Sequence, residues 1–227
     1  MPPVAVPMDV PPYRLSGVVY GTLLNHHSAW QALGEAVNQA PYNVPPKAPV
    51  LYVKPYNTLA MSGDPVPVPA GVTELEVGAC LGLVIGRPAC RLEQGSALEC
   101  LAGYVIVNDV SVPHATYYRP SIRFRARDGF CPIGPRVLPR QALTDPDDVT
   151  IRVFIDGALK QQTSTAQLVR DVGRLLTDVT EFMTLSPGDI LAVGAAAPAP
   201  RVRAGQRARI EIAGLGCLEN PFVQGTA

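Results

Sequence analysis

Ala102-Gly-Tyr-Val-Ile-Val-Asn-Asp109 is an apolar run that ends abruptly in two polar residues. The continuous stretch Tyr104–Val107 reads as a buried strand, which leaves the Asp109 carboxylate at a strand end. A carboxylate there can bind a hard cation or act as a base. It can equally cap the following turn through its own side chain, and on the residues alone both readings stay open.

Working outward, Leu81–Ile85 is a second continuous apolar run, ended by Gly86. Val50–Val53 reads as a buried strand. The prolines of Asp64-Pro-Val-Pro-Val-Pro69 fit only an edge or crossing segment. Val18–Leu24 is a short apolar run, and Ser28–Val37 predicts a helix with Ser28 as its cap. Further on, Val149–Ile155 alternates as a strand, Asp156-Gly157 signals a two-residue hairpin, and Ala158–Gln162 returns. Ser164 with Gln167 predicts a capping box. The spacing of Leu168, Val172, Leu175, Leu176, Val179, Phe182 and Met183 then predicts one long amphipathic helix. Ser186-Pro-Gly-Asp189 stops it, Ile190–Val193 begins another strand, and Arg207–Ile212 alternates into a final hairpin. The fold class is mainly β with few helices (α+β). A proline-rich tail over 1–17 precedes a single domain over 18–227.

The chain has 227 residues, 47% hydrophobic and 17% charged, which is globular rather than disordered in character. No apolar run approaches the roughly 18 residues of a membrane helix. The opening MPPVAVPMDVPPYRL lacks the basic and apolar regions of a secretory signal. Lys plus Arg and Asp plus Glu stand at 19 each, so no global field attracts nucleic acid. The five cysteines are odd in number and lack C-x-x-C spacing, against a disulfide framework or structural zinc. A reducing cytoplasm is the simplest setting. The basic run from Arg119 to Arg127, beside Tyr117 and Tyr118, suits small anions or ion pairs better than a nucleic acid. Arg127-Asp128 reads as a salt-bridged turn or as part of a carboxylate clamp. His26-His27 fits a surface or cap role better than a metal pair.

Several segments, in order, resemble the fumarylacetoacetate-hydrolase family: Val53-Lys-Pro-Tyr-Asn-Thr-Leu59, Leu81–Gly86, Ala102–Asp109 and Phe182–Asp189. The resemblance implies a fumarylacetoacetate-hydrolase-like mixed β-sandwich or roll and a divalent metal, Mg or Mn. Within the family, Tyr117–Arg123 and Arg127–Gly134 resemble the isomerase/decarboxylase group of 4-hydroxyphenylacetate degradation. Enzymes of that group have two homologous halves, fused or separate. Leu24-Asn-His-His27, Gly78-Ala79 and Phe130–Ile133 look like the N-terminal half.

The sequence departs from the family pattern at its chemistry. The paired glutamate ligands fall on Gly78 and Cys80, while Asp109 keeps the third ligand position. Glu74 and Glu76 have the right mutual spacing but lie four residues early, roughly 13 Å away along a regular strand. The family's lysine falls on Arg125, its His-Glu pair on Ala29 and Ala32, and its Gly-Thr-Pro on Gly194-Ala-Ala196. By resemblance, a small anionic oxo acid meets Lys54, Arg125, Arg127, Arg119, Tyr117 and Asp128, with Asp109 as base or residual ligand. The implied reactions are decarboxylation of 5-oxopent-3-ene-1,2,5-tricarboxylate and isomerisation of 2-hydroxyhepta-2,4-diene-1,7-dioate through an enolate. The alternatives are a structural partner of an active, metal-bearing paralogue, as homodimer or hetero-oligomer, and, more remotely, an acylpyruvate hydrolase. The thinned metal site also allows that no metal binds this chain.

Overall fold

The computed structural model describes residues 9–10, 13–114 and 121–225. Its centre is a seven-stranded sheet. From edge to edge the strands are Val50–Lys54, Val19–Leu23, Ile190–Ala192, Ala79–Ile85, Leu101–Asn108, Cys131–Pro139 and Leu59–Met61. The two long apolar runs lie side by side in it, antiparallel, with Cys80 opposite Val107 and Leu83 opposite Tyr104. Both faces of these strands are covered, so their side chains alternate between two cores rather than between core and water. Ala79, Leu81, Leu83, Ile85, Tyr104 and Ile106 enter the larger core. Cys80, Val84, Val105 and Val107 enter a smaller one with Leu15, Cys131 and Ile190. Each fully buried Leu or Ile contributes about 1.5–3 kcal/mol relative to exposure.

The larger core is closed by a five-stranded sheet, in the order Ala158–Ser164, Thr150–Ile155, Arg207–Ile212, Gly216–Gln224 and Val66–Val68. The prolines of the 64–69 segment sit where expected, on an edge strand paired only with Phe222–Gln224. Asp156 and Gly157 both have positive φ, 49° and 80°, as a two-residue hairpin turn requires.

Three local expectations need correction. Val50–Lys54 is an edge strand rather than a buried one, and Val53 is 48% exposed. The first helix, α1 (His27–Leu33), is capped by His26, whose ring accepts from the Ser28 amide; a 3-10 turn over Gly34–Asn38 follows it. Ser164 caps only the turn Thr165–Gln167. The main helix, α3 (Val172–Thr180), starts later, where the Asp171 side chain accepts from the Arg174 amide, and Phe182 lies beyond its end, exposed. The apolar period from Leu168 to Met183 spans a turn, a helix and a loop that all face one core. Periodicity alone cannot separate those three.

Candidate active site

The edge strand Val50–Lys54 supplies the first pieces. Side chains two apart on a strand share a face, so Tyr52 and Lys54 point inward while Val53 points to solvent. Tyr52 can lie flat over its neighbour because that neighbour, in register with it, is Gly21. A Cβ at Gly21 would stand 2.0 Å from the Tyr52 ring carbon that bears the hydroxyl.

Lys54 is 1% exposed, and its ammonium donates to the carbonyls of Val110 at 2.7 Å, Arg125 at 2.8 Å and Phe130 at 2.9 Å. It also stands 2.8 Å from Oδ1 of Asp109. The side chain thereby ties together the loop after Asn108, the end of the short helix α2 (Ile122–Arg125) and the start of the next strand. This is an anchoring arrangement, not an anion clamp open to ligand. Oδ2 of Asp109 accepts from the Tyr52 hydroxyl and from the Arg125 guanidinium, which lies over the Tyr52 ring at 4.7 Å from its centroid. Burial opposes ionisation of Asp109, but Arg125 and Lys54 outweigh it and hold the carboxyl below its ordinary range. A carboxylate so stabilised is a poor proton acceptor at neutral pH.

Above this floor opens a cleft of about 210 Å³, lined by Asp109, Arg125, Gly78, Ser111, Glu76 and a wall of small residues. Ala29, Ala32 and Ala195–Ala199 form that wall, so the positions matched to the family's acid/base pair do face the cleft, carrying only methyl groups. The wall is pinned from behind. Ser28 Oγ accepts from the Ala197 amide at 2.8 Å and lies 2.8 Å from Nδ1 of His26. Asn25 bonds the carbonyls of Val193 and Arg170.

Glu76 is the cleft residue whose place strand spacing misjudged. The buried strand begins at Ala79, and Leu75–Glu76 belongs to a separate two-stranded ladder with Arg201–Val202. Glu76 there accepts from Ser111 Oγ at 2.9 Å and pairs with Arg201 at 3.1 Å, while Glu74 pairs with Arg201 and Arg203. Tyr52 was also missed, although its alternation with Lys54 carried the signal. Arg127 and Asp128 lie away from the lining. Arg127 Nε donates to the Arg123 carbonyl, and Asp128 accepts from Asn57 at 2.7 Å, so the expected turn between them is held by neighbours instead. Tyr117 and Arg119 fall outside the described residues.

The donor set does not fit a divalent metal. Asp109 is already satisfied by two cations, and each pair of like unit charges about 4 Å apart costs about 4 kcal/mol at an effective dielectric of ~20. A Cβ on residue 78 would lie 2.5 Å from the Asp109 carbonyl oxygen, so this backbone approach admits glycine and no ligand side chain. Cys80 is 1% exposed, and burial, then Asp109, push its thiol well above the ordinary value. Among the described residues, no three His, Cys, Asp or Glu side chains converge on a possible ion.

The chain and its fold are similar to known proteins. The family model described as fumarylacetoacetate (FAA) hydrolase C-terminal matches residues 18–223, and the chain belongs to that family. It is 40% identical over 209 residues to the 4-hydroxyphenylacetate degradation bifunctional isomerase/decarboxylase of Escherichia coli, covering 92% of this chain and 48% of that protein. The chain thus spans about half the length of the curated relatives it matches first, and the match fits the C-terminal half rather than the expected N-terminal one. Among solved structures, 5-carboxymethyl-2-hydroxymuconate delta-isomerase from Mycobacterium smegmatis superimposes with a TM-score of 0.80 at 29% identity, covering 94% of this chain and 81% of that one. Maleylpyruvate hydrolase from Sphingobium sp. SYK-6, in complex with manganese (II) and pyruvate, gives 0.76 at 27% identity, covering 92% and 71%. No helix among the described residues is long and apolar enough to cross a membrane.

Proposed function

We propose that the chain is one of two homologous parts of an isomerase/decarboxylase system of the 4-hydroxyphenylacetate type, and that turnover depends on a metal-bearing partner. The substrates on this reading are 5-oxopent-3-ene-1,2,5-tricarboxylate and 2-hydroxyhepta-2,4-diene-1,7-dioate, handled in the cytoplasm. The observation that carries the reading is the neutralisation of Asp109 by Lys54 and Arg125, where the family's chemistry calls for a free carboxylate. Enolate formation needs either a Lewis acid on the oxo acid or a base able to take its proton. This cleft supports neither, whereas the likeness to 48% of the length of a bifunctional isomerase/decarboxylase supports a complementary second part. Acylpyruvate hydrolysis is disfavoured because Ala29 and Ala32 cannot activate water.

The test is a decarboxylation assay with magnesium or manganese on the purified chain, on a paralogue carrying the glutamate pair, and on the mixture. The reading expects no turnover by the chain alone and higher activity of the mixture than of the paralogue. Turnover by the chain alone, or a mixture no better than the paralogue, sinks it.

A further inference from the structure

The alanine wall of the cleft comes from two segments, and one side chain joins them. Ala29 and Ala32 stand on α1, while Ala195–Ala199 follow the strand Ile190–Ala192. Ser28 Oγ, on the first segment, accepts from the Ala197 amide of the second at 2.8 Å. Ser28 is held in turn by His26, which is 3% exposed. Nδ1 of that ring faces both the Ser28 hydroxyl, at 2.8 Å, and the Ser28 amide, at 3.2 Å. The far side of the ring decides which nitrogen carries the hydrogen. Thr163 Oγ1 donates its one hydrogen to Oε1 of Gln167 at 3.2 Å, so toward His26, 2.9 Å away, it can only accept. Nε2 therefore bears the hydrogen and Nδ1 the lone pair. Donation runs one way, from the Ala197 amide through Ser28, His26 and Thr163 to Gln167, and it needs the neutral ring.

We propose that His26 is a proton-operated latch on this wall: neutral, it ties α1 to the 195–199 segment, and protonated, it lets the two part and opens the cleft along that side. A second proton enters the ring at Nδ1 and takes the lone pair that two donors share. The Ser28 amide then points at an N–H and loses its acceptor. The Ser28 hydroxyl must turn its hydrogen away, and its oxygen meets Nδ1–H in competition with the Ala197 amide. Both ties weaken together because both meet at one side chain. The packed elements bring no carboxylate to hold the added charge. The only titratable residue of α1 is His27, the strand Ala158–Ser164 has Lys160 alone, and the turn Thr165–Gln167 has none. Of the nearby charges, Asp148 accepts from Ser164 Oγ, and Arg170 is paired with Asp178. Burial, then His27, lowers the ring's pKa below 6.5, so the latch is closed at neutral pH. The cleft of about 210 Å³ is the latched form. The latch needs no assigned substrate or partner, so it stands apart from the proposed function.

Amide hydrogen exchange of the full chain, followed by NMR between about pH 7.5 and about pH 5, tests the latch. The Ala197 amide should lose protection as pH falls below 6.5, by up to about tenfold per pH unit, the limit that one linked proton sets. The Gly205 amide, bonded to the Phe222 carbonyl at 2.7 Å in another loop, should keep its protection factor. His26→Asn retains a capping acceptor and cannot titrate, so Ala197 should stay evenly protected across the range. Ser28→Ala is the second arm, because it leaves the ring in place and cuts the tie itself. There Ala197 should be poorly protected at every pH, without a slope. A flat Ala197 profile in the wild type, a slope that persists in His26→Asn or in Ser28→Ala, or a fall shared equally by Gly205 overturns the proposal.

Discussion

The cleft carries two ionic clusters made from the same side-chain types, one at its floor and one at its rim. At the floor, the Lys54, Arg125 and Asp109 side chains are 1%, 10% and 9% exposed. At the rim, Arg201 and Arg203 are 43% and 71% exposed, against 30% for Glu74 and 20% for Glu76. In water-accessible surroundings an ion pair contributes about 0–1 kcal/mol, whereas removing one member of a buried pair costs about 3–5 kcal/mol. The floor is therefore a structural commitment of the fold, and the rim is an adjustable margin. At the floor the carboxylate of Asp109 is committed to two internal cations.

The strongest way to break this contrast is Lys54→Met. It keeps the stem's volume but takes one donor from each of three carbonyls and from Oδ1 of Asp109. Urea unfolding should show a loss of about 3–5 kcal/mol. A loss below about 1 kcal/mol would place floor and rim in the same class.

Next in size is Asp109→Asn, read against pH. The folded-state carboxyl of Asp109 lies below its usual value of 3.8, so its stabilisation is fully present above that value. That contribution is lost as pH falls through the depressed folded-state value. The wild type should therefore be the more stable protein at neutral pH, with the two stability curves converging in acid. Curves that stay parallel down the whole acid range would mean that Asp109 is not held ionised by its partners.

The strands of the floor were legible in the sequence because both long runs are apolar without interruption, the pattern of a strand covered on both faces. Asp109 was legible for the same reason, standing at the point where such a run stops. The rim was not. Placing Glu76 about 13 Å from the site assumed one continuous strand. The chain instead breaks at Gly78, whose carbonyl accepts from the Asp109 amide, while the Val77 amide turns to the Pro200 carbonyl. Those are contacts between segments far apart in sequence, and nothing in local spacing encodes them. The His26 cap lies in between: the sequence allows a cap role for the histidine pair, but hydroxyls are the commoner caps and point to Ser28 instead.

His26 tests the wall between floor and rim, with a smaller expected effect. The ring accepts at Nδ1 from Ser28 and meets Thr163 through Nε2 at 2.9 Å, an arrangement that suits the neutral form. Burial, followed by the adjacent His27, lowers its pKa below 6.5. A depressed histidine favours the folded state above its unfolded-state value, and stability falls as pH drops through the folded-state one. Wild-type stability should decline on mild acidification, and His26→Asn, which keeps a capping acceptor, should flatten that decline. His26→Ala should cost about 1 kcal/mol at neutral pH through loss of the cap. An unchanged pH profile in His26→Asn would assign the decline to other groups.

The smallest effect belongs to the rim, and it is the one that gives the comparison its meaning. Arg201→Ala removes the cation shared by Glu74 and Glu76, yet both carboxylates keep other company, Arg203 for the first and Ser111 for the second. Exposure lets water replace what is lost, so the change in unfolding free energy should stay within about 1 kcal/mol. It should shrink further in molar salt, where the screening length falls to about 3 Å. A double-mutant cycle of Arg201→Ala with Glu76→Gln should give a coupling of about 0.2–1 kcal/mol on the same grounds. A coupling several times larger, and indifferent to salt, would mean that the rim closes over the cleft as a second buried cluster.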